Sequence, residues 1–228
     1  MEKKSKRNTN EGMKWAVLAT VLIFGLVAVI VVVMNQQETP VVETAQTDIT
    51  GQPTLGESDA PVTVVEFGDF KCPSCKAWGE MIYPQLVEDF VNTGEVEFAY
   101  INVFFHGNES ILGALAAESV LEHSPEAYWD FHKALFAAQP VVDHDAAWIT
   151  PEKVLEVASA LPAIDQSQLQ GDIEQVAQQE ALETDEALVE EAGVSQTPTI
   201  VINGKTLEDP FDYDAIKALI EQELAGEE

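Results

Sequence analysis

The sequence predicts an α/β fold in which a βαβ unit and a closing ββα unit are separated by an all-helical insert. Three observations predict it. A β-branched run, Val62–Phe67, is followed by helical apolar spacing and then by a second strand-like run, Glu95–Val103. From His106 to about Ala192 the apolar period is helical. The chain then returns to strand at Thr199–Asn203, turns at Asn203-Gly204 and ends in an amphipathic helix over Tyr213–Leu224.

Residues 1–14 carry five of the chain's 11 basic residues. The segment that follows, 15–34, holds no charge and as a helix would span about 30 Å, the thickness of a bilayer's hydrocarbon. It reads as one N-terminal transmembrane helix, a signal anchor with residues 1–14 cytoplasmic and the remainder extracytoplasmic. A cleaved signal peptide is the competing reading, but the run is longer than a usual signal core and ends without a small-x-small motif. No cysteine follows the run at a lipidation position, so a lipid anchor is excluded.

Residues 35–60 are polar, contain Pro and Gly, lack a sustained period, and read as an extracytoplasmic tether. The catalytic unit is then expected over 61–105 and 193–226, with the helical insertion at 106–192. After Phe67 the chain turns through Gly68-Asp69-Phe70-Lys71, and a helix begins with Pro73 in its first turn, where proline is tolerated. Pro84 predicts a kink in that helix. The insert reads as helical segments at 110–122, 126–138, 151–160, 165–180 and 182–192. Within it, Tyr128, Trp129 and Phe131 read as core packing.

The chain's only two cysteines, Cys72 and Cys75, sit at the start of the first helix as Cys-Pro-Ser-Cys. At a helix N-terminus unpaired N–H groups and the positive dipole end face the first sulfur and favour its thiolate. Reversible disulfide chemistry follows. Half of a zinc site is the first alternative, but there is no second cysteine pair and His106, His123, His132 and His144 show no ligand spacing. A structural staple is the second, though so short a loop removes little chain entropy.

Two of the 40 acidic and five of the 11 basic residues precede Trp15, so the remainder carries a net charge of −32. Nucleic-acid binding and binding to an anionic membrane surface are thereby disfavoured. Solubility, or adaptation to salty or alkaline surroundings, accounts for the charge.

These residues together resemble the DsbA-type thioredoxin superfamily, and in particular its membrane-anchored BdbD branch in Gram-positive bacteria. The resemblance is carried by Gly51-Gln-Pro53, the run from Asp59 to Cys75, Phe105-His-Gly107, Tyr128-Trp-Asp-Phe-His132, Leu135-Phe136 and Thr197-Pro-Thr-Ile-Val-Ile-Asn-Gly204. It implies a thioredoxin fold with an inserted helical subdomain and a protein-disulfide oxidoreductase that introduces disulfides into exported proteins. It also implies that Cys72 is the attacked sulfur, Cys75 its buried partner, and Pro198 a cis-proline presenting the Thr197 backbone to an extended substrate. Glu66, six residues before Cys72, matches the family's buried carboxyl that exchanges a proton with the second cysteine. A half-exposed strand glutamate is the alternative for Glu66.

Pro73 and Ser74 would form the remainder of the substrate rim. Ser74 stands where some relatives have histidine, and its hydroxyl could donate to the Cys72 sulfur. Gln196 replaces a small residue found in many relatives, which would alter the substrate groove. No cofactor is required for the chemistry. A structural calcium held by Gln52, Glu118 and Asp185 is implied by some members of the branch. The expected partners are unfolded exported proteins with reduced cysteines and a DsbB/BdbC-like quinone-linked membrane reoxidant, for a monomer bound to the membrane by its own helix. Two further readings stay open: a membrane-tethered reductant on the same fold, and a metal-binding chaperone module using the cysteine pair as its grip.

Overall fold

A computed structural model describes residues 14–20, 22–26, 41–43, 45–142 and 146–226. The chain divides into two compact units, 1–39 and 40–228. In the first, residues 14–20 and 22–26 are helical. Among the described residues no helix is long and apolar enough to cross a membrane. Much of the expected span, residue 21 and residues 27–34, lies outside the described residues, as do 35–40 of the expected tether.

The second unit is built on a six-stranded sheet. Its strands are β1 (Val41–Glu43), β2 (Thr54–Leu55), β3 (Val62–Gly68), β4 (Val96–Asn102), β5 (Thr199–Ile202) and β6 (Lys205–Leu207), in the spatial order β1-β6-β5-β3-β4-β2. β3 and β4 are parallel and all other pairs antiparallel. β1 and β2 correct the reading of 35–60 as a plain tether, since they close the two edges of the sheet. These strands are short, and they pair with β6 and β4 from distant parts of the chain, so no local periodicity announces them.

Alternation along β3 sends its two sets of side chains into different layers. Val62 and Val64 pack with Trp78, Ile82, Leu86 and Phe90 from α1 (Pro73–Met81) and the turns after it, and with Ile216, Leu219 and Ile220 of α8 (Tyr213–Gly226). Val65 and Phe67 face the opposite layer, joined by Ile101, Val103 and Val201 and covered by Leu188 and Val189 of α7 (Gln179–Glu191). The kink expected at Pro84 is present: α1 stops at Met81, a short α2 (Tyr83–Leu86) restarts with proline in its first turn, and a wide π turn covers Val87–Val91.

The insert comprises α3 (Asn108–His123), α4 (Tyr128–Ala137), α5 (Pro151–Ser159), α6 (Gln166–Gln175) and α7. Thr150 and Asp165 cap α5 and α6 by accepting backbone N–H bonds. The segment expected to be helical to residue 180 instead stops at Gln175, where Val176 takes a left-handed conformation and Ala177 N–H closes back on the Asp172 carbonyl. Tyr128, Phe131, Leu135, Trp148 and Ile149 form the insert's core, and Phe70, Cys72, Cys75 and Tyr100 belong to the same cluster. The dithiol therefore sits where the insert's core meets the sheet.

Candidate active site

The chain leaves β3 at Gly68 and turns so that Cys72 N–H donates to the Asp69 carbonyl at 2.9 Å. Cys72 is the N-cap of α1, in an extended conformation, with Pro73 at the first helical position. Two close approaches shape this corner. A Cβ on Gly68 would lie 2.4 Å from Cε2 of Tyr100, and one on Gly113 of α3 would lie 3.0 Å from the Phe70 Cβ. Glycine is needed at both so that Tyr100 can pass over the strand end and α3 can approach the turn.

Both cysteines are free thiols. Cys72 is 6% exposed and Cys75 only 1%, while Pro73 and Ser74 stand exposed on the rim. Thus the sulfur expected at the surface reaches it only by an edge. The Cys75 thiol donates to the Cys72 sulfur, and the Thr197 side chain and the N–H groups of positions 75 and 74 add to it; together they outweigh burial and pull the Cys72 thiol down to about 5. Ser74 contributes through its backbone N–H, whereas its hydroxyl was the group expected to do so. The Cys72 thiol also lies 3.5 Å from the Thr197 carbonyl. Thr197-Pro198 is a cis peptide bond.

Cys75 is pushed the opposite way, first by burial and then by its hydrogen bond to Cys72, so it holds its proton. Asp69 N–H donates to its sulfur at 3.4 Å. Glu66 lies in the middle of β3, 2% exposed, between Tyr100 of β4 and Ile200 of β5. Burial first, then the Cys72 charge, raises its pKa well above the ordinary carboxyl value. Its Oε1 is buried without a hydrogen-bond partner, as are the hydroxyls of Tyr100 and Tyr128 and Nε2 of His132. Burial lowers the His132 pKa to about 3, so it is neutral.

Gln52, Glu118 and Asp185 come together around Asn102, which the sequence reading missed. Gln52 Nε2 donates to Asp185 Oδ1 at 2.9 Å, and Asn102 Nδ2 donates to Glu118 Oε1 at 2.8 Å and Asp185 Oδ2 at 2.9 Å. Burial raises Glu118 to about 8, with Asp185 adding to it, and burial raises Asp185 to about 6. Among the described residues no group of three or more His, Cys, Asp or Glu side chains is placed to hold a metal. However, Gln52 Oε1 and Asn102 Oδ1 are buried acceptors without partners. With the two carboxylates they make an all-oxygen donor set, which fits a hard cation such as calcium.

Two other clusters brace the active-site turn and were also missed. Asp69, 1% exposed, accepts from Lys71 N–H, the Ser110 hydroxyl and His106 Nδ1. Buried Lys71 pairs with Glu109 at 2.9 Å, and Glu109 in turn accepts from the N–H groups of Trp148 and Ile149. Phe105-His106-Gly107 was the one local signal for the first cluster; the second pairs residues with no sequence relation.

A family profile described as Thioredoxin matches residues 48–222. Disulfide bond formation protein D of Bacillus subtilis is 43% identical over 181 residues, covering 79% of this chain and 81% of its own length. Probable disulfide bond formation protein D of Bacillus anthracis is 36% identical over 174 residues, covering 76% and 78%. Among solved structures, oxidised BdbD from Bacillus subtilis superposes with a TM-score of 0.77 at 42% identity, covering 80% of this chain and 98% of that one. DsbA from Chlamydia trachomatis gives 0.68 at 26% identity, covering 80% and 96%. The profile match takes in the dithiol, the Glu66 strand, the whole insert and the Thr197-Pro198 segment.

Proposed function

The chain belongs to the thioredoxin family, and on that premise we propose that it is a thiol-disulfide oxidoreductase that introduces disulfide bonds into exported proteins. The observation that carries this reading is the asymmetry of the pair: a Cys72 thiol lowered to about 5 beside a Cys75 held protonated by burial. A stabilised thiolate makes the reduced protein the lower-energy partner, and hence its disulfide an oxidant.

In the reaction, a substrate thiolate attacks the Cys72 sulfur of the Cys72–Cys75 disulfide. The S–S bond breaks, and Cys75 leaves and takes a proton, with Glu66 as the buried group beside it. A second substrate thiolate then attacks the substrate sulfur of the mixed disulfide and expels Cys72 as a stable thiolate. The substrate has lost two electrons and the protein has gained them. Thr197 backbone, Pro198, Pro73 and Ser74 form the rim along which the substrate lies.

The reoxidant is a quinone-linked membrane protein of the DsbB/BdbC kind. Residues 15–34 anchor the chain in the cell membrane with the catalytic unit outside; the uncharged 20-residue run behind a basic segment supports this. Calcium, held by Glu118, Asp185, Gln52 and Asn102, is a structural ion rather than a participant in the exchange; the two unpartnered amide oxygens support it.

The test is the equilibrium redox potential in glutathione buffers, followed by tryptophan fluorescence, with Cys72→Ala as control. A potential well above the glutathione couple agrees with a disulfide donor. One near that of thioredoxin, about −270 mV, would make the protein a reductant instead.

A further inference from the structure

His106 is held against Asp69, in the turn that leads to the dithiol, by a closed ring of hydrogen bonds. Its backbone N–H donates to Ser110 Oγ at 3.1 Å, the Ser110 hydroxyl donates to Asp69 Oδ2 at 2.9 Å, and the same oxygen lies 2.7 Å from His106 Nδ1. The Asp69 side chain is wholly buried, and its other oxygen accepts Lys71 N–H at 2.8 Å. A carboxylate offers only acceptors, so Nδ1 carries a proton, and in the neutral imidazole Nε2 is the nitrogen with the free lone pair. The imidazole is 40% exposed.

The ring's position follows from the sheet. Gly68 and Asn102 are register partners at the ends of parallel β3 and β4, and Val103 N–H donates to the Gly68 carbonyl at 2.8 Å. The loop carrying His106 and the turn carrying the cysteines therefore leave the sheet side by side. Asp69 joins them: its N–H reaches Cys75 Sγ, its carbonyl receives Cys72 N–H, and its carboxylate holds the imidazole. One buried residue, through its backbone on one side and its carboxylate on the other, thus ties the cysteine pair and the imidazole to the same turn.

We infer that His106 is the base that takes the proton from the substrate thiol, an inference that rests on the exchange reaction proposed above. Thiolates, not thiols, attack disulfides, and an ordinary cysteine with a pKa of about 8.5 is mostly protonated at neutral pH. His106 Nε2 accepts the S–H proton as the substrate sulfur bonds to Cys72 and the Cys72–Cys75 bond breaks. Cys75 takes its proton on leaving from the buried Glu66 carboxyl, which recovers one from water. His106 returns the first proton to solvent and is free to serve the second substrate thiol. Two protons leave the substrate dithiol through His106 to water and one returns from water through Glu66 to Cys75, so one is released net, while Cys72 ends as the thiolate. A clip without chemistry would show the same contacts, so the test must read proton transfer.

The experiment uses the oxidised full-length protein and a series of small monothiols with pKa values from about 7 to about 9.5, the range around an ordinary cysteine. The rate constant for reduction at pH 7 is followed by tryptophan fluorescence for the wild type and for His106→Asn, whose amide can still donate to Asp69 from the Nδ1 position. The expected ratio of wild-type to variant rates rises along the series, from near unity for thiols already ionised to about 100-fold for the least acidic. A ratio that is constant across the series overturns the inference and leaves His106 a clip. His106→Gln repeats the comparison if the asparagine variant melts early. A wild type inert to every thiol would overturn the exchange reading itself, and this inference with it.

Discussion

Removing the Cys75 thiol should shift the titration of Cys72, because the hydrogen bond from Cys75 is the largest single influence lowering it. Cys75→Ala deletes that donor and leaves the Thr197 side chain and the two backbone N–H groups in place. A hydrogen bond to a charged group is worth about 1.5–3 kcal/mol. At about 1.4 kcal/mol per pKa unit, its loss raises Cys72 by about one to two units. The thiol should therefore move from about 5 to about 6–7. At pH 6 the thiolate fraction falls from about nine tenths to between about one tenth and one half. The assay is the rate of iodoacetamide trapping of the remaining thiol against pH, whose midpoint is the pKa. Cys75→Ser keeps a donor and should titrate near the wild type. A Cys75→Ala midpoint still near 5 would refute the reasoning and assign the stabilisation to Thr197 and the helix N-terminus. A midpoint near 8.5, the value of a free thiol, would show the opposite, that the backbone groups contribute nothing.

Other perturbations separate the remaining parts of the site. Glu66 holds its proton in the native state and loses it near the ordinary carboxyl value when unfolded, so native stability falls as pH rises above about 4.5. Glu66→Gln should remove that slope in denaturant titrations between pH 4 and 7; an unchanged slope would mean the carboxyl is ionised in place. Calcium should raise the melting temperature at pH 7.5 and release protons as it binds, because Glu118 and Asp185 titrate at about 8 and about 6 without it. Asp185→Asn should abolish the shift, and a melting curve indifferent to millimolar calcium would remove the ion from the account. Gly68→Ala drives a Cβ against Tyr100, which Phe70, His132 and Phe136 box in. Overpacking of this kind costs about 1–3 kcal/mol, which lowers the melting temperature by several degrees; a melt within about 1 °C of the wild type would show that Tyr100 moves aside freely.

The elements that sequence reading found share one property: their signal is local. Val62–Gly68 is β-branched, Asn203-Gly204 turns where Asn203 has φ 45° and Gly204 φ 78°, and Pro73 and Pro84 mark a helix start and a break. What it missed depends on partners far along the chain. β1 and β2 are strands only because β6 and β4 offer unpaired edges to them. Lys71 is buried only because Glu109 and the 146–149 segment close over it. Asn102 sat in a predicted strand as one more polar residue, and only folding brought it between Glu118 and Asp185.

The sequence by itself determined that a cysteine pair begins a helix just beyond a buried strand, which is enough to specify dithiol chemistry, since spacing and helix geometry are local. Tertiary structure alone decided how unequal the two sulfurs are. Burial of Cys75 under the insert, the reach of Thr197 from 125 residues away, and the unpartnered carboxyl of Glu66 all depend on solvent exclusion. Solvent exclusion is set by what the whole chain packs around a group, and proton affinity follows it.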